Sequence, residues 1–567
     1  MIYQWVLPRH VEKNLLLEIT EKFNFHPIIG QILYNRQIDT PEKIERYFQS
    51  SLSDLYDPFL FNQMNDAVER IIKALREGEH ILIYGDYDVD GVTSVSILYD
   101  GLFRLGGKVS FFIPDRFKEG YGVTIDGIKA ASKRAISLII TVDCGITAVK
   151  EVASAREFGI DVIVCDHHEA SDTLPDAHAI INPKTPHSGY PFTELAGCGV
   201  TFKVLQALAI RVGYSAKFAY RYLDLVAIGT AADIVKLVDE NRILVKHGLD
   251  KINRNPRPGI FALLESCNVL NRSVTVSMIV FVLAPRLNAV GRISNAKKAV
   301  HLLTTASYQQ GRNIARILEK ENKQRKSIDE LTLEDAKQYI EDHLDISKKR
   351  ILVLAKEDWH NGVIGIVASR LMELYNRPVI LISIQDGIGK GSARSLPGFD
   401  IYAALHQTEN LLDSYGGHRY AAGITIRKEK IAEFDRNINA LAEKELKAVE
   451  MIPKLSIDAE IKLDRLDIKF INDLKKMAPY GPENMRPVLL SSGLGTSGGV
   501  SVVGNNHLKT KFKQNGVVID AIGYKMGKYL YKFKQPYTHL SCAYVLEENF
   551  WQGQKTLQMR IKDFEVY

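Results

Sequence analysis

The sequence predicts an α/β chain: two α/β domains joined by a long helix, with an OB-like β-barrel at the C-terminus. Three observations predict it. Between residues 80 and 166, apolar strand-like runs alternate with helical runs, which is the βαβ pattern of a doubly wound parallel sheet. A second alternation begins at Arg350, beyond a helical stretch (307–345) whose dense mixed charge suits a solvent-facing connector. From about Leu455 the pattern shifts to short alternating runs with frequent glycine and with lysines interleaved among aromatics.

At 567 residues the chain is too long for one core, and roughly three or four domains are expected. A hydrophobic fraction of 46% against 25% charged excludes disorder as the general state. The net charge of +6 is unevenly spread, because residues 501–567 hold ten Lys and Arg against five Asp and Glu. The tail is therefore the basic part. Cys144, Cys165, Cys198, Cys267 and Cys542 form no CxxC pair and leave one over, which points to a reducing compartment, the cytoplasm. The N-terminal MIYQWVLPRHVEKN has no basic start followed by an apolar core. No uninterrupted apolar run approaches the ~20 residues of a membrane span, so neither secretion nor membrane insertion is expected.

Residues 1–79 read as mostly helical, with Pro41 placed as a first-turn proline and an amphipathic run at 65–77, a cap leading into the first strand. Strands follow at 81–85, 138–142 and 161–165, and each ends in acid. The first runs into Asp86, Asp88 and Asp90, the second into Asp143, the third into Asp166, His167 and His168. Three carboxylates within five residues repel one another unless a cation or solvent relieves them. An isolated DxDxD is as readily a solvated turn. Parallel strands, however, present their carboxyl ends on one side, so three such endings converge on a single crevice. Residues 218–234 read as an apolar helix ending in Asp233, either a capping acid or a further ligand.

In the second alternation, a strand at 350–355, a helix at 362–376 and a strand at 377–383 precede two glycine-rich loops, GIGKGSARS (387–395) and YGGHRYAAG (415–423). Such loops are either tight turns or phosphate cradles, since bare N–H groups approach oxygens closely and Arg clamps them. A helix at 428–449 closes the domain. In the tail, Lys509, Lys511, Lys513, Lys525, Lys528, Lys532 and Lys534 accompany Phe512, Tyr524, Tyr529, Tyr531 and Phe533. The alternating lysines of LKTKFKQ share one face of a strand. That face is either a lysine-protected edge or a basic surface with aromatic platforms for single-stranded nucleic acid.

Taken together, GDYDVDG, TVDCG, CDHHE and GTAAD, in that order, resemble the DHH phosphoesterase superfamily, while GSARS and GGHRYAAG resemble its DHHA1 domain. Within the superfamily the likeness is to its single-strand-specific 5′-to-3′ exonucleases. It extends from about residue 50 to the C-terminus through PRLNAVGR, WHNGVIGIVASRL and MAPYGPEN. The resemblance implies a helical cap at 1–50, a DHH domain at 51–305, a connector helix at 306–345, a DHHA1 domain at 346–450 and an OB-fold at 451–567. It implies an exonuclease that degrades single-stranded DNA to 5′-mononucleotides in repair and recombination.

Residue by residue, it implies metal ligation by Asp86, Asp88, Asp143, His167 and Asp233, with His168 beside the reacting phosphate or completing the metal shell, and His418 near the scissile group. Asp90 and Asp166 orient those ligands. Ser392 and Arg394, with Arg286 and Arg116, receive the terminal 5′-phosphate. Carboxylates plus imidazole suit Mn²⁺ or Mg²⁺ better than zinc. Two such ions ~3.5–4 Å apart would share Asp143 and activate water without a separate general base. The implied partners are single-stranded DNA with a 5′ end, a single-strand-binding protein and a helicase; the implied state is a monomer off the membrane. A cleft between the two α/β domains would exclude duplex.

Asp358, where glycine is expected before Trp359, and Lys236, where proline is common, depart from the pattern and flank the site. Leu82 stands where the pyrophosphatase and short-oligonucleotide branches carry a metal-binding His. The competing readings are a phosphodiesterase of short oligonucleotides or cyclic dinucleotides, a non-catalytic scaffold, and an aspartyl phosphotransferase. The first usually lacks the barrel, the second loses ligands, and the third leaves DHH unexplained.

Overall fold

The computed structural model describes residues 3–8, 11, 16, 20–114, 122–293, 295–446, 453–533, 539–551 and 554–567. They form two compact units. One, the parallel-sheet unit, comprises Gln49–Lys326 and Pro479–Met485; the other, the barrel-bearing unit, comprises Met1–Phe48, Ser327–Ala478 and Arg486–Tyr567.

In the parallel-sheet unit, β1 (His80–Gly85), β2 (Lys108–Phe112), β3 (Leu138–Val142), β4 (Asp161–Cys165) and β5 (Ala179–Ile181) run parallel in the order β2-β1-β3-β4-β5. Strand alternation divides their apolar residues between two cores. Ile81, Ile83, Leu138, Ile140, Val142 and Ile163 face one, with helices α1 (Val89–Arg104), α4 (Gly197–Arg211), α5 (Leu223–Ala232) and α6 (Asp239–Arg254). Leu82, Tyr84, Ile139, Val162 and Val164 face the other, with α2 (Ile125–Ser132) and α3 (Val149–Glu157). A sheet covered on both faces explains why the central strands read as unbroken apolar runs. Strand β5 is too short, and α4 too evenly apolar, to stand out in the sequence pattern. The stretch Val276–Ile293 is apolar and long enough to span a membrane by composition, yet Ile279, Leu283, Leu287 and Val290 are buried in the first core.

Residues up to Phe48 cluster with the barrel-bearing unit, while the amphipathic run expected at 65–77 is the helix Met64–Glu77, which leads into β1. Gln4–Val6 pairs in parallel with Lys454–Ser456, and Trp5 Nε1 donates to Asp563 Oδ2 at 2.9 Å. Helix Pro41–Gln49 does begin at Pro41. The connector is one helix, α7 (Tyr308–His343), 36 residues long.

The second sheet comprises β6 (Leu352–Glu357), β7 (Val379–Gln385), β8 (Ile388–Arg394), β9 (Ser414–His418) and β10 (Ala421–Arg427), in the order β9-β10-β8-β7-β6. Only β6 and β7 are parallel. Both expected glycine-rich loops are therefore largely strands. Their glycines serve packing: a Cβ on Gly391 would lie 2.6 Å from Ile424 Cγ1, and one on Gly389 2.7 Å from Ile382 Cγ2. The following α-helix runs over Ile431–Glu445.

At the C-terminus, β11 (Leu489–Thr496), β12 (His507–Gln514), β13 (Val517–Gly523), β14 (Leu540–Trp551) and β15 (Gln554–Val566) close a ring through the pairs β11–β14, β14–β15, β15–β13, β13–β12 and β12–β11. Five strands so closed make the expected OB-like barrel. Lys509, Lys511 and Lys513 face outward while Leu508, Thr510 and Phe512 face inward. Phe512 and Phe533 are thus core, beside Phe564, and are not platforms; Tyr524 and Tyr531 are the exposed rings. Lys534 lies outside the described residues.

Candidate metal centre

Strands β1 and β3 are neighbours at the point where the strand order reverses, with β2 on one side and β4 and β5 on the other. Connections from such a pair diverge to opposite faces of the sheet, which leaves a crevice beyond the carboxyl ends. Gly85, Val142 and Cys165 are register partners across β1, β3 and β4. The next residues, Asp86, Asp143 and Asp166, therefore leave the sheet level with one another.

Local structure aims each group. Asp88 caps α1, its Oδ1 accepting from Gly91 N at 3.0 Å, and Asp90 lies in that helix's first turn, where the dipole favours negative charge. Gly91 lets the helix start hard against β1, since a Cβ there would lie 2.5 Å from the Asp86 carbonyl oxygen. The N-terminus of α4 holds Asp90: Gly197 N donates to Oδ2 at 2.6 Å and Cys198 N to Oδ1 at 2.9 Å. A Cβ on Gly197 would fall 2.5 Å from Asp143 Oδ1, so only glycine admits this approach. Asp143 turns the chain off β3 with φ +60°. Asp233 is the C-cap of α5.

These groups meet. Ligand atoms of Asp86, Asp88 and Asp143 lie within 4.8 Å of one another, as do those of Asp90, His167 and Asp233, and those of Asp143, His167 and His168. Asp143 and His167 each belong to two of the three sets. His167 Nε2 lies 3.1 Å from Asp143 Oδ1, 3.6 Å from Asp233 Oδ2 and 3.8 Å from Asp90 Oδ2. Close as the first pair is, it lacks hydrogen-bond geometry, and both Asp143 Oδ1 and His167 Nε2 are buried with no hydrogen-bond partner among the described residues.

The electrostatics match that arrangement. Burial, then the carboxylates of Asp90, Asp88, Asp233 and Asp86, push the Asp143 carboxyl far above its ordinary range. Burial, then Asp90 and Asp88, do the same to Asp233. Burial pushes His167 down to about 4, so its imidazole is neutral and its nitrogen a free donor of electrons. A divalent cation removes the carboxylate repulsion and satisfies the two orphaned atoms together. The donor set, oxygens plus one neutral imidazole, fits Mn²⁺ or Mg²⁺.

Asp166 is 1% exposed and binds rather than ligates: Oδ1 accepts from His167 N at 2.7 Å and His168 N at 3.2 Å, and lies 2.7 Å from His168 Nδ1, while Oδ2 accepts from Ile146 N at 2.9 Å. Burial opposes charge on His168, but the Asp166 hydrogen bond and the nearby carboxylates outweigh it and push the imidazole up to about 9.

The other expected residues are not members of these ligand sets. Arg286 is tied to Glu319 at 2.5 Å and to the Val282 carbonyl at 2.7 Å, beside a π-helical turn over Ile279–Leu283. Ser392, Arg394 and His418 belong to the barrel-bearing unit. There the register sets Arg394 and His418 on either side of Ala421. Arg394 Nη1 donates to Ser392 Oγ at 3.0 Å. Both side chains press on Gly365, the second residue of α8 (Ile364–Tyr375), where a Cβ would lie 2.9 Å from Ser392 Oγ and 3.0 Å from Arg394 Nη2. A helix N-terminus beside Ser and Arg is suited to an anion. Arg116 lies outside the described residues.

Sequence reasoning missed three contributors: the Gly197 and Cys198 amides, and Lys184, whose charge acts on His167 and Asp233. The GCG opening α4 and the NPK after β5 were the available signals. It also set Asp90 behind the ligands, whereas the fold puts its carboxylate within ligand distance of His167 and Asp233.

The DHH family N-terminal domain matches residues 80–230, the DHHA1 domain residues 348–444 and the RecJ OB domain residues 457–563. The single-stranded-DNA-specific exonuclease RecJ of Bacillus subtilis is 36% identical over 99% of this chain and 71% of its own length. That of Haemophilus influenzae is 34% identical over 98% of each. The crystal structure of Thermus thermophilus RecJ in complex with Mn²⁺ matches 99% of this chain and 79% of its own, at 28% identity and a TM-score of 0.85; its Mg²⁺ complex matches with a TM-score of 0.78 at 27% identity, covering 99% and 78%.

Proposed function

The chain belongs to the RecJ family of single-stranded-DNA-specific exonucleases, and from that premise we propose that it removes 5′-mononucleotides from the 5′ end of single-stranded DNA at a pair of divalent cations. It is a metal-dependent nuclease of the DHH class. The observation that carries the reading is the convergence of five carboxylates and two imidazoles, from the ends of β1, β3 and β4, the start of α1 and the end of α5, on one crevice of the parallel sheet.

Asp86, Asp88 and Asp143 would hold one cation and Asp90, His167 and Asp233 the other, with Asp143 able to reach both. When bound, the cations supply Lewis-acid charge that favours ionisation of water and offsets negative charge building on phosphorus. The Gly197 and Cys198 amides fix Asp90, and Asp166 fixes both histidines. His168, held cationic by Asp166, would donate a hydrogen bond to a phosphate oxygen and gain strength as charge develops there.

The pocket of Ser392 and Arg394 at the start of α8 would receive the 5′-phosphate, with His418 one strand away, and so set where the strand stops. Arg286 and Arg116 are its further proposed partners. Outward-facing Lys509, Lys511 and Lys513 would draw the strand in. We assign the chain to DNA repair and recombination in the cytoplasm, as a monomer supplied with single strands by a helicase and a single-strand-binding protein. Five free cysteines support a reducing compartment, and a single-strand requirement supports a strand-opening partner.

Digestion of end-labelled single strands with and without a 5′-phosphate, beside a blunt duplex and a dinucleotide, each with Mn²⁺ or with EDTA, tests this. The expected result is Mn²⁺-dependent release of 5′-mononucleotides from the phosphorylated single strand; preference for the dinucleotide overturns it.

A further inference from the structure

The MAPYGPEN motif (477–484) runs toward the first strand of the C-terminal barrel, yet its residues Pro479–Asn484, with Met485 after them, belong to the parallel-sheet unit, while Ala478 and Arg486 on either side belong to the other. The segment closes on itself. Gly481 N donates to the Asn484 carbonyl at 3.1 Å, Asn484 N to the Gly481 carbonyl at 2.9 Å, and Asn484 Nδ2 to the Pro479 carbonyl at 2.8 Å; Asn484 is 1% exposed. Glu483 makes the turn at φ +58°.

Its contacts fall on one place. The Pro482 carbonyl accepts from Leu237 N at 2.8 Å, and the Pro479 carbonyl accepts from Nη1 of buried Arg242 at 3.2 Å. Gly481 sits against buried Leu237, where a Cβ would lie 2.4 Å from Leu237 Cδ1. Leu237 is four residues past Asp233, and between them the chain makes a strained turn: Ile234 has φ +61°, a left-handed conformation that a β-branched residue rarely adopts, and its side chain is exposed. Such a conformation persists only where its surroundings over-determine it. Asn241 Nδ2 pins the turn from one side, donating to the Lys236 carbonyl at 3.0 Å, and the Pro482 carbonyl pins it at Leu237.

We propose that the Pro479–Met485 segment is a positioning element for the metal centre, clamping the Leu237 end of the turn that presents Asp233. The inference rests on the reading of Asp233 as a ligand. A segment carried by the chain of the nucleic-acid-binding domain thereby holds a metal-site carboxylate in place.

Gly481→Ala drives a methyl into Leu237 and displaces the clamp; Asn484→Ser removes the side-chain bond to the Pro479 carbonyl without adding bulk. Mn²⁺ binding to the full-length protein, followed by loss of the free-ion electron paramagnetic resonance signal, is the readout, with a thermal melt and single-strand binding in EDTA alongside. Expected for either variant that melts cooperatively is Mn²⁺ binding at one site about 10-fold weaker, the scale of loss when a ligand's support is removed, with single-strand binding unchanged. Mn²⁺ affinity equal to the parent's, with only the melting temperature lowered, makes the segment merely structural and overturns the proposal while leaving the metal centre intact. A parent that binds no Mn²⁺ overturns both.

Discussion

Asp166 Oδ1 lies 2.7 Å from His168 Nδ1, and the same oxygen also accepts from the His167 and His168 amides. One buried carboxylate thus sets the pose of both imidazoles that follow it. Asp166→Asn keeps the shape but replaces a charged acceptor, so turnover on single strands falls about 10–100-fold, the range for loss of a ligand's supporting partner. Single-strand binding in EDTA stays at the parent level; the two assays run on the same preparation check it.

Asp143→Ala removes the carboxylate common to two of the ligand sets. Turnover is expected to vanish while binding of single strands persists. Nuclease activity at the parent level would remove its shared role.

Removing charge from the barrel acts differently. Lys509, Lys511 and Lys513 stand on the outer face of β12, so the triple alanine variant weakens single-strand binding uniformly across sequences. The slope of log affinity against log salt shrinks by about 2 if each lysine neutralises one phosphate. An unchanged slope places the strand elsewhere.

Lys203 and Glu240 form a fully buried pair at 2.6 Å, and Glu240 also accepts from Tyr56 N and Tyr190 O–H. Burial pushes the lysine's pKa down, against the pull of the glutamate. Lys203→Met strands a buried carboxylate and costs about 3–5 kcal/mol, whereas adding Glu240→Gln recovers most of that because the amide oxygen still accepts from Tyr56 N while its NH₂ donates to the Tyr190 hydroxyl oxygen. Denaturant unfolding of the three proteins decides it.

His26 Nδ1 accepts from Ile28 N at 3.2 Å at the start of helix Pro27–Asn35, a role open only to the neutral ring. Burial lowers its pKa in the folded state, so protons favour the unfolded chain, and its contribution declines as pH falls through the unfolded value near 6.5. His26→Ala is expected to cost about 1 kcal/mol at pH 8 and less at pH 5. Melting at the two pH values gives the comparison.

Much of the centre was legible because its ligands sit at strand ends. β1, β3 and β4 are buried on both faces and read as apolar runs, and Asp86, Asp143 and Asp166, buried but charged, mark where the apolar run stops. The glycine-rich stretches of the second sheet were misread as loops, because a glycine that admits Ile424 or Ile382 across a sheet looks the same in one dimension as a glycine that turns the chain. Phe512 was misread for a related reason, since only strand register tells which side of β12 meets the barrel interior.

By itself the order of residues determined the alternation of elements, the parallel sheet, the acids at its edge and the basic strand of the tail, for these depend on local periodicity and on where apolar runs end. Tertiary structure alone decided that Asp90 stands within reach of His167, that the amides of α4 hold it, and that Pro482 grips the turn beyond Asp233. Those relations join residues more than 75 positions apart through distances of a few ångströms, and no pattern along a chain encodes a distance across it.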